Sequence, residues 1–508
     1  MVRGEGVSET APVGVDLVDW VARRARTHPE HIAIEAAGET LTYDALDRRV
    51  EAAAAVIRSF DLGAGAPVAL LAGNGLPFAV VAHAVPRAGA LFMPLNVRLS
   101  TDELAWQLRD AGAGALLAGG EHVETAQAAA EAAGVPIHPL DAPAWTQPAR
   151  QGDPERPLDP DEPHSLIYTS GTTGRPKGAL LTFGNYYWSA IGSAENLGVR
   201  PDDRWLACMP LFHVGGLSIV LRSAIYGTTA VIHDRFDEVR VDAALRDDRI
   251  TLLSVVATML HRLFAVDARP YPSTLRAVLL GGGPAPRPLL EVARDRGVPV
   301  LQTYGLTETA SQAATLAPED ALRKLGSAGL PLPVTTLRIE VDGREAAPGE
   351  VGEILVAGPT VTPGYLNRPD ATAEALRDGW LHTGDLGYRD DEGYLYVSDR
   401  RHDLVVTGGE NVYPAEVEAA LLEHPAVEEC AVIARSDPEW GHLVVAVVVP
   451  SRSDPVEPEE LRTYLRSRLA AYKVPRHIWY TYDPLPRTAS GKLQRYLLRD
   501  HIVTGDTP

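Results

Sequence analysis

Tyr168 to Gly178 reads YTSGTTGRPKG, and the apolar run HSLIYTS, His164 to Ser170, leads into it. A strand that runs into small hydroxylated residues and glycines, closed by one lysine, is suited to meeting a phosphate chain. Glycines let the backbone come close, hydroxyls and amides donate to phosphate oxygens, and the lysine adds a compact point charge. The string is not a Walker loop, which requires Gly-Lys-Ser/Thr after four free positions; here Pro176 precedes Lys177 and Gly178 follows it.

Outward from this loop, the chain alternates helical stretches with short apolar runs. Before it, TYDALDRRVEAAAAVIRSF and PVALLAG set the rhythm of helices packed on a mainly parallel sheet. The Pro- and Asp-rich QGDPERPLDPDEP is the connecting loop that delivers the chain into the phosphate strand. After it the rhythm resumes through TAVIHD, ITLLSVVATMLHRLF, LRAVLLGGGPAP and VPVLQTYGLTE. Beyond about Gly343 the pattern becomes strand-rich, with GEILVAG, GYLYVSDR and DLVVTGG between Gly and Asp turns, as expected of a small β subdomain. The last hundred residues read as a separate α+β unit: helix PAEVEAALLEH, strands VEECAVIARS and HLVVAVVVP, helix PEELRTYLRSRLA. The expected organisation is a flexible tail over 1–13, a large N-terminal α/β domain over 14–398, a hinge at 399–403 and a small mobile domain over 404–508.

Hydrophobic residues at 45% and charged residues at 22% of 508 place the chain among ordinary globular proteins of more than one core. A net charge of -20 argues against nonspecific attraction to nucleic acid or anionic lipid, so an anionic ligand must be met by local positive groups. Only four lysines occur, Lys177, Lys324, Lys473 and Lys492; every other basic side chain is arginine, which makes each lysine informative. Cys208 and Cys430 are too far apart in sequence for a metal spacing and offer no disulfide framework. No apolar run reaches bilayer length and the acidic start lacks a signal pattern, so the expectation is a soluble cytoplasmic protein, with homo-oligomerisation left open.

The string YTSGTTGRPKG resembles the phosphate loop of the adenylate-forming superfamily, which comprises acyl-CoA synthetases, peptide-synthetase adenylation domains and luciferases. Six further motifs of that family follow in order: PLFHVGGL (210–217), GGGPAP (281–286), TYGLTE (303–308), WLHTGDLG (380–387), DRRHDLVVTGGENVYPAEVE (399–418) and PRTASGK (486–492). The resemblance implies activation of a small carboxylic acid by ATP and Mg²⁺, followed by capture of the acyl group by CoA. It implies no nucleic-acid partner and no integral membrane contact.

Joining a carboxylate to the α-phosphorus of ATP gathers negative charge, which positive groups and a cation must offset. By resemblance, Thr169, Ser170, Gly171, Thr172, Thr173, Gly174 and Lys177 hold the β- and γ-phosphates, Thr307 touches the α-phosphate, and Glu308 with Thr173 holds the metal. Asp385 and Arg400 take the ribose. Gly281, Gly282, Gly283 and Gly305 let backbone lie against adenine and the acyl pocket, with the Tyr304 ring stacked on the base. Lys492 bridges carboxylate and α-phosphate during adenylation, a task that suits a point charge on a flexible stem. The second half-reaction needs Lys492 to leave and a thiol channel to open, with Gly408 and Gly409 lining it. The pivot falls on His402, where many members carry Asp or Lys.

His213 sits at a strand-to-helix junction, at the acyl pocket by family precedent. Arg222 interrupts GGLSIVLRSAIYG, which is otherwise apolar apart from two serines, so it either snorkels to the surface or meets an anion. TFGNYYWSAIGSAENLG, LLGGGPAP, YGLTETASQ and KLGSAGLPL resemble the o-succinylbenzoyl-CoA synthetase branch of menaquinone biosynthesis, whose aromatic substrate bears a second carboxylate. Phe183, where many fatty and aryl acid ligases place histidine, fits that branch. Arg222 and Ser311 are then the expected partners of the second carboxylate. The rivals are a ligase for another aryl, medium-chain or dicarboxylic acid and a non-catalytic adenylate-binding protein.

Overall fold

In the computed structural model the phosphate-loop strand is the turning point of a six-stranded sheet. The structure describes residues 16–140, 145, 152–153, 156–169, 176–282, 285, 287–399, 404–451, 456–486, 495 and 497–498. Strands Pro67–Leu71, Leu91–Pro94, Ala115–Ala118 and Ile137–Pro139 run parallel. Pro163–Thr169 joins them parallel to Leu91–Pro94, and Lys177–Thr182 returns antiparallel at the edge. Central strand residues such as Leu70, Leu116 and Leu117 have no exposure, because helices cover both faces of the sheet.

One of those helices, Thr101–Ala111, starts on a capping box. The Ser100 hydroxyl accepts the Glu103 amide, the Glu103 carboxylate accepts the Ser100 amide, and Gly112 closes the far end in the left-handed conformation.

A second sheet carries Ile32–Ala36, Thr229–Ile232, Arg204–Ala207, Leu252–Val256, Ala277–Gly281 and Val300–Tyr304 in parallel. Its rhythm is the one read from the sequence, with ITLLSVVATMLHRLF dividing into the strand Leu252–Val256 and the helix Ala257–Val266. The expected β subdomain departs from the reading in two ways. It begins at Ala314 rather than near Gly343, and antiparallel strands Ala314–Leu316 and Ser327–Pro331 join it to the second sheet as one fifteen-stranded surface. The strand in DLVVTGG, Val405–Thr407, pairs with Glu410–Val412 and with Gly441, and so belongs to the C-terminal sheet. Alternation alone does not distinguish the two destinations, because pairing partners are set at long range.

The C-terminal unit packs helices Pro414–Leu422 and Pro458–Arg466 on five strands over a core of Val405, Val417, Leu421, Val432, Val444, Leu461 and Leu465. The tail 1–13, the hinge residues 400–403 and the end of the chain after 498 lie outside the described residues. Among the described residues no helix is long and apolar enough to cross a membrane.

The join between sheet and subdomain depends on Gly329. It lies at φ +90° in the Ser327–Pro331 strand, and a Cβ there would stand 2.0 Å from the Thr315 carbonyl. Gly329→Ala is therefore expected to cost at least about 2 kcal/mol, combining positive-φ strain with a backbone clash. Urea unfolding of the two proteins side by side checks this.

Candidate active site

The N-terminal domain, the β subdomain and the C-terminal unit meet at one cleft. Thr169, Lys177, His213, Gly305, Thr307, Glu308 and Asp385 all line it, together with Glu410 and Lys473 from the C-terminal unit. The sequence reading had assigned each of the first seven to the site. Thr169 and Lys177 are register partners across the two strands that bracket the phosphate loop, so the loop's ends are fixed at the cleft. Ser170, Gly171, Thr172, Thr173, Gly174, Gly283, Arg400, His402 and Lys492 lie outside the described residues.

Glu308 sits in a one-turn helix, Thr307–Thr309, directly after the strand Val300–Tyr304. The Tyr365 hydroxyl donates to its Oε1 at 2.9 Å, and the Thr169 hydroxyl stands 3.5 Å from the same oxygen. The Lys177 ammonium lies 5.4 Å from the centre of the Tyr365 ring. Tyr365 thus couples the acid and the base on opposite walls, and the sequence reading did not identify it. Gly305 has a steric reason to be glycine, since a Cβ would overlap the Ser311 carbonyl oxygen at 1.5 Å.

Asp385 is buried, and its carboxylate accepts the Tyr304 hydroxyl at 2.7 Å. The turn around it is tied down: the Thr383 hydroxyl donates to Ile354, the Asp385 amide to the Thr383 hydroxyl, and the Gly384 amide to Glu353. Tyr304 requires a correction. It is 2% exposed and packed among Ala313, Leu337 and Leu395, so its ring supports Asp385 from the core and offers no open face to a base.

His213 caps the helix Val214–Tyr226 after the strand Arg204–Ala207, the junction expected from the sequence. Its Nε2 lies 3.2 Å from Glu410 of the C-terminal unit. Burial alone would raise the Glu410 pKa, but His213, Arg98 and Asn96 together hold it below the ordinary carboxylate value. Gly408 and Gly409 form the turn just before Glu410, at φ +56° and +84°. A Cβ on Gly409 would come within 3.8 Å of Val256 across the domain boundary, and one on Gly282 within 3.1 Å of the same valine. The C-terminal hairpin therefore approaches the end of the strand Ala277–Gly281, where Gly281 and Gly282 lie. Neither of these two glycines lines the cleft itself.

Arg222 is 3% exposed and does not snorkel. Its Nη2 donates to the Ser189 hydroxyl at 2.9 Å, that hydroxyl donates to the Ala310 carbonyl at 2.6 Å, and the Trp205 ring lies 5.9 Å away. Among the described residues no carboxylate pairs with Arg222, its Nε has no partner, and burial lowers its pKa. Ser311 follows Ala310 in sequence, at φ +99°.

Residues 21–366 match the model of the AMP-binding enzyme family, and residues 416–492 match that of the AMP-binding enzyme C-terminal domain. A 2-succinylbenzoate–CoA ligase from Geobacillus sp. (strain WCH70) is 46% identical over 96% of this chain and 98% of its own length. Among solved structures, o-succinylbenzoate CoA synthetase from Bacillus subtilis bound with its product analogue OSB-NCoA superposes with a TM-score of 0.90, at 43% identity over 96% of this chain and 99% of that one. The same enzyme in complex with the acyl-adenylate OSB-AMP superposes at 0.74, at 42% identity over 97% and 99%. On the family match, these similarities and the convergence of seven motif residues on one cleft, the chain belongs to the AMP-binding enzymes.

Proposed function

We propose that this enzyme ligates 2-succinylbenzoate to CoA through an acyl-adenylate, in the cytoplasm, as a step of menaquinone biosynthesis. The observation that carries the reading is near-full-length similarity to 2-succinylbenzoate–CoA ligases, joined to a cleft that retains Lys177, Glu308 and Asp385. Cys208 and Cys430 are buried free thiols pushed up to about 12 by burial, with Glu418 and Glu429 adding to the shift at Cys430, in keeping with a reducing compartment.

In the first half-reaction an oxygen of the substrate carboxylate attacks the α-phosphorus of ATP, and pyrophosphate departs. Lys177 and the phosphate loop meet the departing phosphates, Thr307 the α-phosphate, and Asp385 the ribose, its carboxylate already oriented by Tyr304. Among the described residues no three His, Cys, Asp or Glu side chains converge as a metal cage. A Mg²⁺ ion would use Glu308 together with Thr173 and take its remaining ligands from phosphate and water, the usual manner of binding this ion. That ion would supply charge neutralisation on the phosphates; the Tyr365 hydroxyl, donating to Glu308 Oε1, fixes how that carboxylate is turned. Lys492 bridges the two reacting anions.

In the second half-reaction the CoA sulfur attacks the acyl carbon and AMP leaves with the C–O bonding pair. The arrangement described here suits that step. Gly408 and Gly409 border the approach to the acyl end, and Glu410 occupies His213 from the C-terminal side. The buried Arg222 guanidinium, which among the described residues has no carboxylate partner, supplies a positive field for the second carboxylate of the substrate.

A panel of aryl, medium-chain and dicarboxylic acids assayed for pyrophosphate release tests the substrate. A large preference for 2-succinylbenzoate is expected, and an equal response to benzoate would favour another acyl-CoA ligase. Lys492→Ala is expected to lower pyrophosphate exchange by at least about 10²-fold, the scale of losing one transition-state donor. Arg222→Met removes a buried unpaired cation, so the ligand-free enzyme should lose no thermal stability. The KM for 2-succinylbenzoate should rise by roughly tenfold or more. A sharp fall in melting temperature would instead make Arg222 a packing residue.

A further inference from the structure

Lys473 is the most enclosed charge in the boundary between the two domains. Its Nζ lies 2.6 Å from Glu103 of the N-terminal domain and 2.8 Å from Glu416 of its own C-terminal unit, with side-chain exposures of 3%, 13% and 8%. Desolvation would drive such a lysine toward neutrality, but the two carboxylates hold its pKa above the ordinary value.

The carboxylate of Glu103 is aimed before the domains meet. Oε2 accepts both the amide and the hydroxyl of Ser100 at 2.8 Å in the capping box, which turns Oε1 outward to take Lys473. The same short segment makes several neighbouring cross-boundary contacts. The Ser100 hydroxyl lies 3.0 Å from the Arg468 carbonyl, Arg98 pairs with Glu410 at 2.7 Å, and Asn96 lies 3.4 Å from both Glu410 and Tyr472. Residues 96–103 are thus a preformed docking edge.

The three charges divide unequally between the domains. Glu416 travels with Lys473 in any arrangement of the C-terminal unit, so the lysine always keeps one carboxylate and the unit can fold without the other. Glu103 belongs to the other domain, and the arrangement in which it meets Lys473 superposes at 0.90 on the relative holding a product analogue and at 0.74 on the same relative holding an acyl-adenylate. We propose that Glu103 is a positioning residue for thioester formation alone: by receiving Lys473 it holds the C-terminal domain where CoA meets the acyl carbon, and it plays no part in adenylate formation. This rests on the two half-reactions proposed above.

The test is Glu103→Gln in the full chain, because glutamine preserves the capping box while removing the anion. Two quantities are measured: pyrophosphate exchange with 2-succinylbenzoate, and single-turnover transfer from preformed acyl-adenylate to CoA. Exchange within about twofold of the unsubstituted enzyme, with transfer slowed by roughly tenfold or more, is expected for loss of one partner of a buried charge pair. Glu103→Asp, which keeps the anion, should restore transfer toward the unsubstituted rate while leaving exchange unchanged. Unchanged transfer in Glu103→Gln, or exchange falling in step with transfer, would overturn the proposal. Absence of exchange in the unsubstituted enzyme is a different result, and it would overturn the functional reading itself.

Discussion

The antiparallel pairing of Thr169 with Lys177 is the constraint on which the rest is arranged. It fixes both ends of the phosphate loop, and through Thr169 and Tyr365 it sets the distance from loop to Glu308. Because Pro163–Thr169 is also hydrogen-bonded to the parallel strand Leu91–Pro94, the strand that leads into the loop is anchored in a sheet whose central residues are buried. Opposing charges are thereby held at the cleft with little reorganisation left for substrate binding to drive.

The second wall obeys the same logic. Val300–Tyr304 delivers Thr307 and Glu308, and the subdomain hydrogen-bonded onward from it delivers Asp385. Thr307, Glu308 and Asp385, the groups proposed to meet the nucleotide on this wall, therefore rest on one continuous sheet, while Glu410 and Lys473 reach the cleft from a separate folding unit.

Much of the site was legible because its residues sit where strands end in turns, and turns have local signatures. YTSGTTGRPKG, TYGLTE and HTGDLG each combine apolar strand residues with glycines and one chemically distinctive side chain, and all three reach the cleft. Tyr304 was misread because ring burial depends on what packs against it from Leu337 and Leu395, which no local pattern records. Glu410 stood inside a quoted motif and was passed over, since its partner His213 lies 197 positions away. Tyr365 and Glu103 were invisible for the same reason. The merging of the β subdomain with the second sheet likewise turns on Gly329 approaching Thr315, a steric fact with no periodicity.

The scarcity of lysine has a practical consequence. Lys177 and Lys473 line the cleft, and Lys324 is engaged by Asp390 and Glu392 on the subdomain. An amine-directed label therefore has few targets, and in this arrangement Lys473 is sheltered by its two carboxylates. Mass-resolved labelling of so few sites would report domain geometry directly, a natural footprinting handle that a lysine-rich homologue would bury in background.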